Sequence, residues 1–408
     1  MSDATVSIDL EAREVPWEIS TGRTVRGFAF NGQIPGPVIE AKVGDELAVR
    51  LTNRLDERTT IHWHGIRVPA PMDGTESVQH AVSPGETFEY RFVLPDAGTY
   101  WYHSHVNETE QVERGLYGAL IVRGPGEPVL DGDRVLVLDD LKLDAEGNIA
   151  LFGDPQEHHS GREGDVRLLN GREEPELEMA AGQTERWRFI NASNSRYVRL
   201  SIGGSPFTIV GTDGGLLPRP LAATEVLITP GERFDLAVGP FGEGEVIAVE
   251  ALAYDRGKGE TQTERFATLK VGSPAPSRAN IPAVLRQIDS LAGFDAVPTR
   301  TVSMKALMHD GHHQRGEPVR VGELQVWDLV NETGQDHPFH LHGFFFQVLD
   351  RNGAPPPLVS WEDTVNIPSK ERVKIAWVAD DRPGEWMYHC HILEHHAMGM
   401  MAHFAVVE

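Results

Sequence analysis

The sequence predicts an all-β protein made of three tandem domains, and three observations support this prediction. The 408 residues include 41 glycines and 27 prolines, which favour turns between short strands over long helices. Alternating apolar and polar residues, typical of half-buried strands, recur along the chain. One stretch also occurs three times, at intervals of 138 and 140 residues. At about 150 residues per domain, this length fits two or three domains.

The repeated stretch begins at a glycine and ends nine residues later at an asparagine. Its copies read VGDELAVRLTN, AGQTERWRFIN and VGELQVWDLVN, and they end at Asn53, Asn191 and Asn331. A second alternating stretch follows each copy, at 86–94, 232–239 and 371–379, and predicts a further strand. We therefore predict domains at 1–125, 126–273 and 274–408, with a short helix at 281–291 leading into the third.

Composition excludes some classes of function. A net charge of −24 argues against nucleic-acid binding, which needs a basic face. The sequence has no apolar run of about 18 residues, so no membrane-spanning helix is predicted. The first residues, MSDATVSIDL, do not read as a signal peptide. Localisation stays open between the cytoplasm and export with a presequence that this sequence lacks.

Four His-x-His pairs lie at matching positions of the first and third copies. They are His62 with His64, His103 with His105, His340 with His342, and His389 with His391. The middle copy has Leu200 and Ile202 at the first of these positions and has no counterpart of the second. The outer copies alone therefore carry the imidazoles.

Each pair places two imidazoles on one side of a strand, because alternate strand residues face the same way. A single pair is compatible with ordinary core or surface histidines. Eight imidazoles in two matching sets predict a metal cluster between the first and third domains. Histidine ligands without carboxylates suit copper better than magnesium or calcium, and they leave zinc open.

Cys390 is the only cysteine, and it faces away from its neighbours His389 and His391. Together with His337, His395 and Met400 it gives one thiolate, two imidazoles and a weak thioether. These are the ligands of a blue-copper electron-transfer site. The first copy has Ser104 and Thr59 at the positions equivalent to Cys390 and His337, so this second kind of site is predicted only once.

The motifs HWHG, YHSH, HPFHLHG and HCHILEHHAMGM resemble those of the multicopper oxidases, most of all the three-domain bacterial laccases. The resemblance spans the whole chain and implies three cupredoxin-like Greek-key β-barrels with four coppers per chain: one type 1, one type 2 and two type 3. It implies that type 1 copper is held by His337, Cys390, His395 and Met400. The implied type 2 ligands are His62 and His340, and the implied type 3 ligands are His64, His103, His105, His342, His389 and His391.

The function implied by this resemblance is that of a laccase. Phenols or aromatic amines would lose one electron each at the type 1 copper, with Cys390 and His395 in the path, and O₂ would be reduced to water at the other three coppers. A Cu(I) or Mn(II) oxidase on the same scaffold is the alternative. A copper protein without turnover and a copper nitrite reductase fit less well, since a nitrite reductase has two such domains. The expected partners are O₂ and small aromatic reductants or metal ions, and the expected state is a monomer.

Three further predictions concern proton supply, potential and accessory copper. Asp73 matches an aspartate that relatives place near the cluster as a proton relay, although DG is also a turn signal. Many bacterial relatives have glutamate after the position of His395, whereas this chain has His396, so His396, Glu394 or Glu108 is expected to take that role. Met400 as axial ligand predicts a low-to-middle type 1 potential. The segment holding Met304, Met308, His309, His312 and His313 reads as a polar loop or an accessory copper site.

Overall fold

A computed structural model describes residues 4–305, 307 and 315–408. Within these residues strands make up 50% of the chain and helices 6%, which confirms the predicted all-β class. The strands form six sheets, two in each third of the chain, so the molecule consists of three two-sheet units. In the described part of the chain, no helix has the length and apolar character needed to cross a membrane.

The first unit has two four-stranded sheets. Its strands are β1 (Thr5–Ser20), β2 (Arg23–Phe30), β3 (Gly36–Lys42), β4 (Glu46–Asn53), β5 (His62–His64), β6 (Thr87–Val93), β7 (Gly98–His103) and β8 (Tyr117–Arg123). The sheet orders are β2-β1-β4-β6 and β3-β8-β7-β5. The pairs β1–β4 and β3–β8 are parallel and the others antiparallel, so non-consecutive strands lie side by side in each sheet.

The second unit has a seven-stranded and a five-stranded sheet. Its strands are β9 (Gly132–Leu141), β10 (Val166–Leu169), β11 (Arg172–Glu173), β12 (Glu176–Ala181), β13 (Glu185–Asn191), β14 (Val198–Ile202), β15 (Phe207–Thr212), β16 (Gly215–Ala223), β17 (Glu225–Ile228), β18 (Arg233–Val238), β19 (Val246–Leu252) and β20 (Glu264–Pro274). The orders are β11-β10-β9-β13-β18-β15-β16 and β12-β20-β19-β14-β17.

The third unit has a four-stranded and a five-stranded sheet. Its strands are β21 (Arg300–Ser303), β22 (Val319–Arg320), β23 (Leu324–Val330), β24 (His337–Leu341), β25 (Phe346–Arg351), β26 (Thr364–Ile367), β27 (Arg372–Val378), β28 (Gly384–Cys390) and β29 (Met401–Val407). The orders are β21-β23-β27-β25 and β22-β29-β28-β24-β26. The domain boundaries at 125/126 and 273/274 stay predictions. The first lies between β8 and β9. The second falls inside β20, one residue before the strand ends at Pro274.

Three short helices lie beside the histidine-bearing strands: α1 (Glu108–Glu113), α2 (Pro155–Ser160) and α3 (Leu393–Ala397). The helix predicted at 281–291 does not form, and that prediction was wrong. Its backbone bonds to other elements instead of to itself. The amide of Leu285 donates to the carbonyl of Pro218, and the amide of Leu291 donates to the side chain of Gln347.

The three repeated asparagines make the same hydrogen bonds in each unit. The Nδ2 atoms of Asn53, Asn191 and Asn331 each donate to a backbone carbonyl four or five residues later. Each also donates to the carbonyl of a residue 29 to 37 positions after the asparagine, at 2.8–2.9 Å. The Oδ1 atoms accept from the amide two residues ahead, an Asx turn. These bonds fix the loop after the repeated strand, which in the outer units leads to a histidine strand.

Each unit has its own apolar core, and a further cluster joins all three. Trp101 and Tyr117 come from the first unit, Val137 and Ile190 from the second, and Leu393 from the third. All five are fully or almost fully buried. Apolar contact therefore holds the outer units together across the middle one, beside the histidines.

Candidate metal centres

Two pairs of neighbouring strands carry the eight paired histidines. In the first unit β5 runs antiparallel to β7, with His62 opposite His103. In the third unit β24 runs antiparallel to β28, with His340 opposite His389. The second histidine of each pair lies two residues later and faces the same side as the first. Some of these second histidines lie just beyond the end of the strand.

The two sets interleave where the first and third units meet. The ring of His62 stacks on that of His342 with centroids 4.0 Å apart, and His64 stacks on His340 at 3.8 Å. All eight side chains are buried; the most accessible residue, His105, is 8% exposed. The structure therefore brings together all eight histidines that the sequence predicted for one cluster.

Most of these imidazoles use one ring nitrogen to hold their orientation. His62 and His340 donate from Nδ1 to the backbone carbonyls of Asp73 and Asp363, at 2.7 and 3.0 Å. His103 and His389 donate from Nδ1 to the carbonyl of the next residue, at 2.9 Å in both cases. Such bonds fix the tautomer and leave the other nitrogen as a lone-pair donor.

The remaining nitrogens converge without protein hydrogen-bond partners. The unpartnered atoms are Nε2 of His62, His103, His105 and His340, Nδ1 of His64, and both ring nitrogens of His391. His342 and His389 bring their Nε2 atoms within 3.0 Å of each other. Buried polar atoms without partners are costly, so this arrangement is explained by a ligand that accepts lone pairs.

The protonation of the cluster also suits metal binding. Burial lowers the pKa of His64, His103 and His105 well below the usual value, and neighbouring imidazoles lower it further. The same causes lower the pKa of His342, His389 and His391. Neutral imidazoles are the form that binds metal. The donor set, made mainly of neutral imidazoles, therefore fits copper better than magnesium or calcium.

A second, smaller centre lies on the other face of β28. Cys390 Sγ is 3.5 Å from His337 Nδ1 and 3.7 Å from His395 Nδ1, and the two nitrogens are 3.3 Å apart. Met400 is buried, and its backbone carbonyl accepts from the Cys390 amide at 3.0 Å. These atoms give the trigonal sulfur and nitrogen set, with a methionine beside it, that suits a blue copper.

Burial raises the pKa of the Cys390 thiol to about 12. A metal that binds the thiolate must therefore displace a proton from it. The outward nitrogens of the two histidines are already engaged: His337 Nε2 lies 2.8 Å from the hydroxyl oxygen of Thr333, and His395 Nε2 lies 3.2 Å from the carbonyl oxygen of His159.

The two centres share one stretch of backbone. Cys390 belongs to the small centre, and its neighbours His389 and His391 belong to the cluster. The hydrogen bond from His389 Nδ1 to the Cys390 carbonyl adds a second connection beside the covalent one. The adjacent residues of one strand thus join the centres.

Comparisons with known proteins agree with this geometry. Three family models described as multicopper oxidase match residues 11–127, 135–241 and 294–408. The chain is 32% identical to the multicopper oxidase MmcO of Mycobacterium tuberculosis, over 93% of this chain and 83% of that one. It is 27% identical to a laccase of Bacillus subtilis, over 92% and 89% of the two chains.

This chain belongs to the multicopper oxidase family. Its fold superposes on a multi-copper oxidase of Pseudomonas thermotolerans with a TM-score of 0.88, at 31% identity and full coverage of both chains. A multicopper oxidase from Campylobacter jejuni, described as a metallo-oxidase, gives 0.86 at 29% identity, covering 99% and 92%. The chain is therefore a copper-dependent oxidoreductase of laccase type with cupredoxin-like β domains.

Asp73 lies against the histidine cluster of this multicopper oxidase. Its Oδ2 accepts from His342 Nδ1 at 2.9 Å, and Oδ1 has no hydrogen-bond partner. Burial alone would raise the pKa of Asp73, but His342 and His62 hold it well below the usual value. Gly74 after it is required, because a Cβ there would lie 2.0 Å from the carbonyl oxygen of Ile61. The DG pair is thus both a turn and part of the site.

Asp363 and Thr364 were missed by sequence reasoning. His64 Nε2 donates to Asp363 Oδ1 at 3.1 Å, and His340 Nδ1 lies 3.1 Å from the Thr364 hydroxyl. Arg233 of the second unit, fully buried, donates to both carboxylate oxygens of Asp363. No spacing in the sequence indicates this contact, because Asp363 lies far from every histidine motif.

His396, Glu394 and Glu108 were the residues expected to take the role of the glutamate found in many bacterial relatives, and they lie at different distances from the cluster. His396 contacts the cluster, with its ring 4.4 Å from that of His389, and its Nδ1 lies against Glu108 Oε1. Glu394 instead accepts from the Arg162 amide and the Asn194 side chain. His396 with Glu108 therefore occupies the place beside the cluster.

The suggested accessory copper segment is described only in part. Met304 is fully buried in the core of the third unit. Met308, His309, His312 and His313 lie outside the described residues. The accessory site remains a prediction.

Proposed function

We propose that the chain oxidises phenols and aromatic amines by one electron each at the Cys390 centre and reduces O₂ to water at the eight-histidine cluster. This proposal rests on the position of Cys390 between the two centres. Its side chain belongs to one centre and its two neighbours belong to the other, so the donor and acceptor sites are joined by a few backbone bonds.

The proposed ligand assignment keeps the residues predicted from the sequence. Type 1 copper takes His337, Cys390, His395 and Met400. His62 and His340, one from each outer unit and with ring centroids 5.8 Å apart, form the type 2 site. The type 3 pair takes His64, His103, His105, His342, His389 and His391, whose inward nitrogens surround the same space.

Bound copper would supply the redox chemistry, taking single electrons at one centre and delivering four at the other. Four phenols each lose an electron and a proton, which balances the reduction of one O₂ and four protons to two waters. The protein's own part is to hold the ligand nitrogens in place, to exclude solvent from both centres and to deliver protons. Every proposed copper ligand is buried.

We propose Asp73 as a proton relay because of the contacts that its two carboxylate oxygens make. One carboxylate oxygen is bound to His342, and the other is buried and has no protein partner. A buried oxygen of this kind is suited to accept a hydrogen bond from water that enters the cluster.

A monomer is proposed, because one chain supplies both sets of histidines. Light scattering coupled to size exclusion should give the mass of one 45.1 kDa chain. A stable higher oligomer would contradict this part of the proposal.

The function is tested by oxygen consumption with a phenol as the electron donor. The copper-loaded protein should consume one O₂ for about every four phenols oxidised, without accumulating peroxide. Cys390→Ser is the control, since it removes the thiolate and should abolish turnover with the histidine cluster intact. Turnover by Cys390→Ser at the rate of the unaltered protein would refute the proposed path.

A Cu(I) oxidase is the second candidate, favoured by the similarity to the Campylobacter jejuni metallo-oxidase. Steady-state oxidation of Cu(I) and of a phenol, measured on one preparation, separates the two. A higher kcat/KM for the phenol supports the laccase assignment, and a higher value for Cu(I) supports the alternative.

A further inference from the structure

A cavity of about 320 Å³ lies where the first unit meets the third, beside the chain segment that connects β20 to β21. The residues that line it are Arg67 and Asp96 of the first unit, Arg286 of the connecting segment, and Phe344, Phe345, Trp361, Val378 and Asp380 of the third unit. None of these residues is a candidate copper ligand or the proposed proton relay. The volume lies at the lower end of the range for small-molecule sites, so it fits a ligand with one substituted ring.

Arg286 belongs to the stretch 281–291, where the sequence predicted a helix. The Leu285 amide donates to the Pro218 carbonyl at 3.0 Å, and Leu285 packs in a buried cluster with Val210 of the second unit. Arg286 Nη1 donates to the Gly214 carbonyl at 2.8 Å. Across residues 4–305, 307 and 315–408, Arg286 forms no ion pair. Because a guanidinium stays charged and has five N–H donors, Arg286 brings an unneutralised positive charge to the cavity.

The other charged side chains of the cavity neutralise one another. Asp96 accepts from Arg67 through both carboxylate oxygens, at 2.6 and 2.9 Å. Asp380 accepts from Arg67 at 3.2 Å and from the neighbouring Arg382 at 2.7 and 2.8 Å. The two carboxylates are therefore matched by two arginines, and the charge of Arg286 remains.

Aromatic side chains form an apolar wall opposite these charges. Phe345 and Trp361 are half-buried, and Phe345 stacks on the buried ring of Tyr100 with centroids 6.4 Å apart. The Trp361 carbonyl accepts from the Gly214 amide at 2.8 Å. Since the Gly214 carbonyl also binds Arg286, this one residue fixes the guanidinium and the indole relative to each other. Such a wall suits a flat aromatic ligand.

A second cavity, of about 230 Å³, adjoins the first and shares Asp96 and Arg286 with it. It is also lined by Arg186, which is 3% exposed. The Nη atoms of Arg186 form ion pairs with Asp235 and Glu127, whereas its Nε has no hydrogen-bond partner in the described part of the chain. A buried donor without an acceptor is costly, so the junction of the two cavities favours a ligand that brings oxygen acceptors.

We propose that the larger cavity binds a small aromatic monocarboxylate, with its ring against Trp361 and Phe345 and its carboxylate on Arg286. Guanidinium and carboxylate form charge-assisted, bidentate hydrogen bonds, which fix the direction of the ligand. A dianion such as inorganic phosphate fits poorly, because the wall is aromatic and Asp96 and Asp380 line the same cavity. The binding does not depend on the oxidase function proposed above.

The probe for this site is trans-cinnamate, which has one ring and one carboxylate and no phenolic hydroxyl to be oxidised. Isothermal titration of the copper-loaded protein should show one cinnamate per chain with a Kd below about 1 mM. Methyl cinnamate lacks the charge, and acetate and inorganic phosphate lack the ring. Each of the three should bind at least about tenfold more weakly than cinnamate.

Two variants test the contacts of the ligand. Arg286→Gln should weaken cinnamate binding by at least about tenfold, because the charge and the bidentate donors are lost. Trp361→Leu should weaken it by about three- to fivefold, because the ring loses its stacking partner. Arg278→Gln, at an exposed arginine of the same connecting segment, is the matched control and should leave the Kd unchanged. All three variants should keep the copper content and the melting temperature of the unaltered protein.

The contrary outcomes are equally definite. Absence of saturable cinnamate binding up to about 10 mM would overturn the proposal, and so would an unchanged Kd in Arg286→Gln. Acetate or phosphate binding as tightly as cinnamate would show a general anion site instead of one for aromatic carboxylates.

Electron paramagnetic resonance of the type 2 copper checks for binding at the metal. A change of this signal by cinnamate that persists in Arg286→Gln would show that the carboxylate binds copper, which contradicts the assigned site. Should Arg286→Gln fail to take up copper, an unchanged Kd in Trp361→Leu overturns the proposal by itself.

Discussion

At the scale of single residues, hydrogen bonds to the second ring nitrogen explain why these histidines can act as ligands. His62, His340, His103 and His389 each donate from Nδ1 to a backbone carbonyl, and their Nε2 atoms face inward. His64 is reversed, since its Nε2 is held by Asp363 and its Nδ1 faces inward. The orientation of each ligand is thus set by a particular neighbour, and changing the neighbour should change the centre.

Met400→Leu tests the axial ligand. Leucine keeps the apolar volume but removes the sulfur, so the type 1 potential should rise by roughly 60 mV or more, a tenfold change in the one-electron equilibrium. Redox titration of the blue absorption measures the change. Met398→Leu, at a residue that is 52% exposed, is the matched control and should leave the potential unchanged. An unaltered potential in Met400→Leu would show that Met400 does not bind the copper.

Asp73→Asn tests the proton relay. The amide oxygen can still accept from His342 Nδ1, but the negative charge is lost. Reoxidation of the fully reduced enzyme by O₂ should slow by about 10- to 100-fold, while reduction of the type 1 site by a phenol is unaffected. Stopped-flow absorption measures both rates, with Asp56→Asn at an exposed position as the control. Normal reoxidation would show that the relay assignment is wrong.

At the scale of elements, strand alternation made the placement of the candidate ligands predictable. The period of two placed His389 and His391 on one face and Cys390 on the other, and the structure shows this arrangement on β28. The repeated asparagine marked the strand that precedes the first histidine pair of each outer unit, and its conserved hydrogen bonds now explain the repeat.

Contacts between elements were not predictable in the same way. The hydrogen bond between His64 of the first unit and Asp363 of the third could not be predicted from any local sequence pattern. The contact on His395 Nε2 comes from the backbone carbonyl of His159, which any residue at position 159 would supply. The expected helix at 281–291 failed because its amides found partners on other elements.

The contact between β8 and β9 gives a prediction about pH and stability. Tyr117 donates to Asp139 Oδ2 at 2.5 Å, with both residues buried. Burial, with Asp140 nearby, raises the pKa of Asp139 well above its usual value. The folded state therefore holds a proton that the unfolded state releases above about pH 4, so this residue makes the protein less stable as pH rises.

Asp139→Asn should remove this loss of folding stability at higher pH. The gain in melting temperature over the unaltered protein should be small at pH 4 and should grow as the pH rises toward 8, measured by thermal unfolding across that range. Asp56→Asn, at the exposed site, should show no such trend. A gain in Asp139→Asn that is constant with pH would contradict the raised pKa.

At the scale of the whole molecule, the cluster exists because two units that each carry half of it are held face to face. The shared apolar cluster around Trp101 and Leu393 provides part of this contact, and the ion pair of Arg233 with Asp363 links the second unit to the third. The middle unit carries no His-x-His pair, yet it supplies Arg233 and the His159 carbonyl that contacts His395. Its role in this structure is to position side chains of the outer units that lie at the two candidate centres.

One chain, in the proposed assignment, holds a mononuclear copper and a three-copper cluster joined through Cys390. The most direct test is the copper content of the purified protein, taken together with its absorption spectrum. We expect four coppers per chain, an intense blue band and a near-ultraviolet shoulder from the coupled pair. One copper per chain, with the blue band and without the shoulder, would contradict the cluster.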